Sequence, residues 1–231
     1  MKSVGIIPAR GGSKGVKFKN IKQLANKPLI HFTLESAINS KIDKVIVSTD
    51  SNKIAKVAKN YPVDVIMRPA ELAEDDTPIL PVLQHAVKDL NNTYKTIILL
   101  QPTSPFRNAK HINEALELYS ANTNSDGLVS IMEVPHNMDP FSIVNINANG
   151  FLKSFLDQDK MILRRQDKKK YFARNGPAIL IRKRKDLGNK NLYSGKILPY
   201  KMGLFDSHDI DNENDFLIAE SIHLLQKRGL Y

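Results

Sequence analysis

The sequence predicts an α/β protein with a Rossmann-like, doubly wound and mainly parallel sheet. Two observations carry this prediction. From residue 4 to residue 134, short apolar runs rich in Val and Ile alternate with longer stretches whose apolar residues recur three and four positions apart. Several of these runs are apolar without interruption, as expected for strands that helices cover on both faces. This alternation favours parallel strands joined by crossover helices.

The elements follow in order along the chain. Strands are predicted over residues 4–7, 44–48, 64–67, 96–100, 127–134, 177–181 and 196–203, and helices over 28–39, 51–60, 78–90, 109–121 and 212–228. Pro28 and Pro78 suit the first turn of a helix, where no amide proton is needed. Ser51 (or Asp50) and Asn108 are predicted N-caps, because their side-chain oxygens accept from amides of the first turn.

The alternation stops in the segment 135–172, which is predicted to be an insertion. The segment is polar, carries basic clusters and has a turn signal at 145–150. Apolar residues on either side of that turn predict a small hairpin: Val144, Ile146, Phe151 and Phe155. Because a structureless loop of this length is unusual in a compact domain, the insertion is expected to pack on another subunit. We therefore predict one domain over 1–231 that contains a dimerisation segment over 135–172.

Composition narrows the class of protein. Of 231 residues, 42% are hydrophobic and 25% charged, which supports a buried core and excludes general disorder. There is no cysteine, which excludes disulfide scaffolds, thiolate zinc sites and cysteine nucleophiles. No apolar run reaches the roughly 18–20 residues of a membrane span, and the first residues are too short an apolar run for a secretory leader. The chain is therefore expected to be cytoplasmic, without membrane insertion.

The net charge of +10, from 34 Lys and Arg against 24 Asp and Glu, predicts an anionic partner. Part of the excess lies in basic clusters between residues 164 and 185. One interpretation is a nucleic-acid-binding protein, but such proteins usually place aromatic residues among the basic ones, and here only Tyr171 and Phe172 do so. The favoured interpretation is a phosphate-bearing small molecule and no nucleic acid, with the clusters in solvent or at a subunit interface.

A glycine-rich turn with several cations follows the first strand, at residues 10–20. Glycines allow backbone amides to approach an anion closely, and the cations offset phosphate charge. The turn matches neither the Walker loop nor Gly-x-Gly-x-x-Gly. It lies at the carboxyl end of a parallel strand, where open α/β sheets bind their ligands, and so predicts a phosphate site. The alternative is a plain glycine turn with surface lysines.

Two carboxylates near the carboxyl terminus predict a metal site. Asp209 and Asp211 are two residues apart, so in extended backbone both side chains leave the same face. Paired carboxylate oxygens suit Mg²⁺, which keeps some water and binds phosphate oxygens as well. The alternative is that Asp211 caps the last helix, with Glu213 and Asp215 complementing the helix dipole.

Two further loops follow predicted strands. Arg68 precedes Pro69, which favours an extended conformation, and its planar donors suit a pyrimidine carbonyl or a phosphate. The alternative for Arg68 is an ion pair with Glu71 or Asp75. The loop 101–105 holds a Gln amide and two hydroxyls between stiffening prolines, which suits a polyhydroxylated sugar. Its alternative is a simple proline-rich turn.

These blocks resemble the acylneuraminate cytidylyltransferase family, the CMP-sialic acid synthetases with their CMP-legionaminic and CMP-pseudaminic acid relatives. The matching blocks lie in family order along the whole chain: 6–20, 47–50 (VSTD), 68–72 (RPAEL), 100–107 (LQPTSPFR), 165–166, 175–176 and 209–211 with Asp215. The resemblance implies a nucleotidyltransferase fold, a homodimer, Mg²⁺ (or Mn²⁺) and CTP. It also implies transfer of CMP to the anomeric hydroxyl of a nine-carbon 2-keto acid sugar, with release of pyrophosphate, for cell-surface glycan synthesis.

The resemblance also implies roles for residues. Nucleotide-binding residues are Arg10, Gly11, Ser13, Lys14, Lys19, Asn20 and Arg68; sugar-binding residues are Gln101, Ser104, Arg165, Gln166 and Asn175; metal ligands are Asp209 and Asp211; and Arg10, Lys19 and Asp211 are catalytic. An interface salt bridge is the alternative for Arg165. The chain has Gly176-Pro177-Ala178 where many sialic acid enzymes have Gly-Ala, which leaves the acceptor open among sialic acid, its bacterial analogues and an eight-carbon octulosonate.

Overall fold

A computed structural model describes residues 2–13, 15–156, 169–188 and 191–231, and it has the predicted α/β fold. Its strands are β1 Lys2–Pro8, β2 Gln23–Leu24, β3 Lys27–Pro28, β4 Lys44–Thr49, β5 Asp64–Met67, β6 Tyr94–Leu99, β7 Gly127–Glu133, β8 Val144–Ile146, β9 Leu152–Ser154, β10 Phe172–Arg174, β11 Leu180–Lys183 and β12 Ile197–Met202. Its helices are α1 Leu29–Ile38, α2 Asn52–Ala58, α3 Ile79–Val87, α4 Ala109–Ala121 and α5 Glu213–Lys227. None of these described helices has the length and apolar character needed to span a bilayer.

An eight-stranded sheet forms the centre of the fold. On one side, β7 pairs with β12. On its other side, β7 pairs with β11 along its first residues and with β10 along its last ones. From β11 the order continues as β6-β1-β4-β5. β1 pairs in parallel with β4 and β6, β4 with β5, and β7 with β12. β10 and β11 run antiparallel to the strands they pair with. The prediction of a mainly parallel, doubly wound sheet is confirmed.

Both faces of the central strands of this sheet are buried. On one face Ile7 and Val47 pack in a cluster with residues of α1, α2 and α4. On the other face Ile6 and Ile46 pack in a cluster with residues of α3. Neighbouring residues of one strand thus face different helix layers, which is why the strands are apolar without interruption.

A third apolar cluster places α5 against the glycine-rich turn. Phe216 and Ile222 of α5 pack with Val16 of that turn and with Ile210, the residue before the second predicted metal ligand. The two segments are far apart in the chain, and the burial of these side chains holds them together. The cluster therefore assembles the edge of the sheet at which the predicted site lies.

The helix starts agree with the predictions only in part. Asn108 caps α4 through its side-chain oxygen, as predicted, whereas Ser51 makes no side-chain cap on α2. Asn212 caps α5, in a capping box that Asp215 completes. The alternative that made Asp211 the cap of this helix is therefore wrong.

Several predicted boundaries shift by a few residues. Pro28 and Pro78 precede α1 and α3 in extended backbone instead of lying in their first turns. The strand predicted over 177–181 is β11, which begins at Leu180, because Gly176 and Pro177 form a turn between β10 and β11. β10 itself was not predicted.

The predicted hairpin of the insertion is present as β8 and β9, paired antiparallel. Its apolar residues face outward, and the exposed fraction of Ile146 is 74%, of Phe151 69% and of Leu152 71%. Large apolar side chains are rarely exposed together to this extent. Where they are, the exposed patch commonly marks an interaction site.

The described arginines between residues 169 and 185 each contact another part of the protein. Arg182 is 2% exposed and donates to the Ser194 carbonyl at 2.9 Å. Arg184 donates to three backbone carbonyls between residues 87 and 91, at 2.7–2.9 Å. The guanidinium of Arg174 lies 4.0 Å from the ring centre of Tyr193. Arg182 and Arg184 are therefore held within the fold, which corrects the expectation for these two. Arg174, Lys169, Lys170 and Lys185 are exposed, as expected of charges in solvent.

Candidate active site

A cleft of about 490 Å³ opens at the carboxyl edge of the sheet, beside the ends of β1, β5 and β6. The predicted site residues that line it are Arg10, Ser13, Lys19, Asn20, Arg68, Gln101 and Asp211. Leu72, Ile79 and Val82 provide an apolar wall. Apolar walls with a few converging polar groups are typical of small-molecule sites.

Two cations of the glycine-rich turn lie in the cleft, each beside a carboxylate. The Arg10 guanidinium is 2.7 Å from Asp75 Oδ1. Lys19 Nζ donates to the Ile210 carbonyl at 2.7 Å and lies 3.2 Å from Asp211 Oδ1. Cations that follow the first strand and a carboxylate near the end of the chain therefore meet in one place.

The glycines of the turn pack closely against other parts of the chain. The Gly11 amide donates to Asp50 Oδ1 at 2.9 Å, so this N–H is directed to a carboxylate and not into the cleft. A Cβ atom on Gly15 would lie 2.4 Å from the Asp211 carbonyl oxygen, whereas one on Gly12 would have no atom within 4 Å. The nucleotide contact expected of Gly11 stays a prediction, and close packing is the reason the structure provides for glycine at positions 11 and 15.

Arg68 is buried in the wall of the cleft, with 7% of its surface exposed. One guanidinium nitrogen lies 3.8 Å from Asp50 Oδ1, and Nε has no hydrogen-bond partner in the described part of the protein. Burial lowers the pKa of Arg68, while the charge of Asp50 opposes this effect. Asp75, one of the two ion-pair partners considered for Arg68, pairs with Arg10, and Asp50 lies beside Arg68. Because a guanidinium has five N–H donors, Arg68 keeps donors for a ligand.

The two predicted metal ligands differ in environment. Asp209 is partly buried, and its Oδ1 accepts from Ser104 Oγ at 3.2 Å. Burial raises the pKa of Asp209, the nearby charge of Asp211 raises it further, and hydrogen bonds from Thr103 and Ser104 lower it. The Asp211 side chain is 77% exposed, and its backbone amide donates to Asp215 Oδ2 at 2.8 Å. Asp215 therefore orients the segment that carries Asp211.

The chemistry of these two carboxylates suits a divalent cation, and of the two only Asp211 lines the cleft. The described residues contain no group of three or more His, Cys, Asp or Glu that could hold a metal ion without other ligands. Mg²⁺ does not require such a group, because it is commonly bound by one or two carboxylates together with water and substrate phosphates. The charge of Asp211 contributes to the raised pKa of Asp209, and a bound cation would offset this repulsion.

The predicted sugar-binding residues are placed in different surroundings. Gln101 lines the cleft, and its amide donates to the Gly176 carbonyl at 3.2 Å. Ser104 is fully buried beneath it. The Asn175 side chain is also buried, where it accepts from Ser130 Oγ at 2.6 Å and donates to Ser207 Oγ at 2.9 Å. The structure does not bring Asn175 into the cleft. Three predicted site residues lie outside the described residues: Lys14, Arg165 and Gln166.

The prediction missed residues that hold the site residues in place. Asp50 and Arg107 lie in the blocks 47–50 and 100–107, and neither of them is among the predicted site residues. The signal for Asp50 was present, since an acidic residue directly after a parallel strand lies at the ligand edge of the sheet. For Arg107 there was no such signal, because its contacts come from distant parts of the chain.

The chain is similar to known proteins over nearly its whole length. A family model described as cytidylyltransferase matches residues 4–228. The chain is 36% identical over 228 residues to the N-acylneuraminate cytidylyltransferase of Escherichia coli O18:K1:H7, covering 98% of this chain and 53% of that protein. It is 32% identical to the CMP-N,N'-diacetyllegionaminic acid synthase of Legionella pneumophila, covering both chains fully. The chain thus spans about half the length of some relatives and the whole length of another.

A solved structure shares the fold at low sequence identity. It is CMP:2-keto-3-deoxy-manno-octonic acid synthetase in complex with CTP, with a TM-score of 0.71 and 15% identity. The match covers 99% of this chain and 100% of that one.

Proposed function

The chain belongs to the cytidylyltransferase family, and on this premise we propose that it transfers CMP from CTP to the anomeric hydroxyl of a nine-carbon 2-keto acid sugar, releasing pyrophosphate. The observation that carries the proposal is the meeting of Lys19 with Asp211 in a cleft that also contains Arg10. Cations and carboxylates at the carboxyl edge of an α/β sheet suit a triphosphate bound together with a metal ion.

Arg10, Ser13 and Lys19 hold the triphosphate in this proposal. Attack on the α-phosphorus depends mainly on position and charge stabilisation, so fixed cations are the main requirement. The Ile210 carbonyl already orients Lys19 Nζ, and the Arg10 guanidinium exchanges Asp75 for phosphate oxygens when the nucleotide binds.

Arg68 and Asn20 bind the cytidine part. The Asn20 amide nitrogen donates to the Arg10 carbonyl at 2.9 Å, which leaves its oxygen to accept from an amino group. Cytosine has such an amino group at the position where uracil has a carbonyl, so this oxygen favours cytosine. The buried Arg68 guanidinium supplies donors for the pyrimidine carbonyl.

Asp209 and Asp211 hold Mg²⁺, or Mn²⁺ in its place. When bound, this ion supplies positive charge that offsets the charge on the phosphates and on the departing pyrophosphate. Gln101, at the end of β6, faces the acceptor sugar, with Ser104 supporting the loop from below.

A panel of substrates tests the proposal. The full chain is incubated with CTP, UTP or ATP and with N-acetylneuraminic, legionaminic, pseudaminic or keto-deoxy-octulosonic acid, in Mg²⁺, and products are identified by mass. We expect a CMP-sugar from CTP and a nine-carbon acid. A product with the octulosonate alone would shift the acceptor to the eight-carbon class, and no nucleotide-sugar from any pair would refute the proposal.

We also propose that the chain is a homodimer joined through the segment 135–172. The support is the exposed apolar surface of the β8–β9 hairpin, where Ile146 and Leu152 lie opposite each other in register. An apolar hairpin exposed to this extent is expected to pack on a second copy, since a patch buried between subunits loses its contact with water.

The dimer proposal has a direct test in solution. Replacing Leu152 by Asp is expected to raise the dimer dissociation constant by roughly 30-fold or more, since loss of an interface anchor costs about 2 kcal/mol. Light scattering after size exclusion measures the mass over a range of concentrations. Leu217→Asp is the matched control, because Leu217 of α5 is similarly exposed, at 68%. A monomeric wild type, or equal effects of both variants, would contradict the proposal.

A further inference from the structure

Arg107 is a fully buried cation below the floor of the cleft, with 1% of its surface exposed. One terminal nitrogen donates to the Gln101 carbonyl at 3.1 Å and to the Ala178 carbonyl at 3.0 Å. The other donates to Thr33 Oγ1 at 2.7 Å and to Ser36 Oγ at 3.4 Å. The guanidinium therefore joins three parts of the chain: α1, the loop after β6 and the turn before β11.

Such a residue is costly to bury. Burial lowers the pKa of Arg107 to about 9, while the charge of Asp209 raises it, so the side chain stays protonated at neutral pH. In the described part of the structure its hydrogen-bond partners are neutral oxygens. An apolar side chain of similar volume would avoid the desolvation of a charge, and a purely packing role therefore does not explain an arginine here.

The two carbonyls that Arg107 joins belong to the segments around the predicted acceptor end of the cleft. Gln101 lines the cleft directly, and its side-chain amide contacts the Gly176 carbonyl at 3.2 Å. Ala178 follows two residues later. Thr33 Oγ1 also donates to the Gln101 carbonyl, at 3.4 Å. The position of the Gln101 side chain thus depends on a backbone that Arg107 and α1 hold from below.

We propose that Arg107 is a positioning residue that holds the Gln101 and Gly176–Ala178 segments at the spacing needed to bind the acceptor sugar. The proposal rests on the proposed function, since it takes Gln101 as an acceptor contact. Arg107 itself does not touch the cleft, so its effect on the reaction passes through these two segments. Loss of the guanidinium releases both at once, because one nitrogen serves both carbonyls.

Arg182 provides a matched control within the same protein. It is as buried as Arg107, at 2%, and it donates to the Ser194 carbonyl at 2.9 Å. It lies in β11 opposite Ile97 of β6 and opposite Gly127, the first residue of β7, so it is away from the carboxyl ends of these strands, where the cleft opens. An effect common to both arginines would be an effect of burying a charge, and one confined to Arg107 would reflect its place below the site.

The test compares Arg107→Met, Arg107→Lys and Arg182→Met by steady-state kinetics, with CTP and acceptor varied separately. We expect Arg107→Met to raise KM for the acceptor about tenfold and to change KM for CTP less than twofold, since small misplacements of binding groups have effects of this order. Arg107→Lys should lie between it and the wild type. Arg182→Met should lower the melting temperature without changing either KM. Equal changes in both KM values, or a change in kcat alone, would overturn the proposal.

The positioning role of Arg107 can also be tested without turnover, and with a variant other than Arg107→Met in case that variant does not fold. Thr33→Val removes the 2.7 Å acceptor of Arg107 at nearly constant volume. Amide hydrogen exchange by mass spectrometry should show faster exchange in this variant than in the wild type, both in residues 101–104 and in residues 175–180, and unchanged exchange near Arg182. Because Thr33 also donates directly to the Gln101 carbonyl, the increase in residues 175–180 is the one that reports on Arg107. Unchanged exchange in those segments refutes the positioning role. A wild type that forms no CMP-sugar refutes the proposed function instead, and the exchange result still decides the role of Arg107.

Discussion

Replacing Gly15 by alanine is expected to lower kcat about 100-fold without unfolding the protein. The added Cβ would lie 2.4 Å from the carbonyl oxygen of Asp211, which is closer than Cβ atoms approach other atoms in proteins. Neither atom can turn away, because one is a backbone atom and the other is bonded to the backbone. Either the glycine-rich turn or the segment around Asp211 must move. Since Lys19 contacts the Ile210 carbonyl and the Asp211 carboxylate, this movement separates the groups proposed to hold the nucleotide. A displacement of about 1 Å in such groups costs on the order of 100-fold in rate.

Gly12→Ala is the control for this effect. It makes the same substitution three residues earlier in the same turn, where an added Cβ has no atom within 4 Å. We expect the Gly12 variant to retain near wild-type kcat and both variants to show similar melting curves. If Gly15→Ala were as active as Gly12→Ala, the close approach of the turn to residue 211 would not matter for turnover.

Replacing Asp211 by asparagine is the second substitution that is expected to lower kcat strongly. The change removes one of two carboxylates proposed to bind Mg²⁺ and the negative charge that pairs with Lys19, while the side chain keeps its size. We expect kcat to fall by about 100-fold or more at fixed Mg²⁺, since loss of one electrostatic group in a phosphoryl-transfer site typically costs this much. The Mg²⁺ concentration for half-maximal rate should rise as well, because one oxygen ligand has lost its charge.

Glu213→Gln provides a neighbouring carboxylate as control. Glu213 lies two residues after Asp211, is exposed and pairs with Lys22. Glu213→Gln removes one negative charge, as Asp211→Asn does. Its variant should keep the wild-type rate and Mg²⁺ dependence. Near-normal turnover of Asp211→Asn at saturating Mg²⁺ would show that Asp211 is not a metal ligand.

Much of the fold was predictable because each element has its own local signal. The continuous apolar strands of 4–7 and 44–48 predict a sheet covered on both faces, and helix periodicity predicts the crossover helices. The strand boundaries around Pro177 were less predictable. β10 has three exposed residues and pairs only through β7 in the described sheet, so no apolar pattern marks it.

The amino-acid sequence is sufficient to predict the layered α/β fold, the glycine-rich turn after the first strand and the acidic pair near the carboxyl terminus, since periodicity and residue type are local properties. Three features are visible only in the folded chain: Lys19 lies beside Asp211, a distant carbonyl approaches Gly15 and requires a small residue there, and Arg107 joins three segments from below. Such contacts depend on burial of apolar residues on α5, α1 and the sheet, which places side chains together irrespective of their separation along the chain.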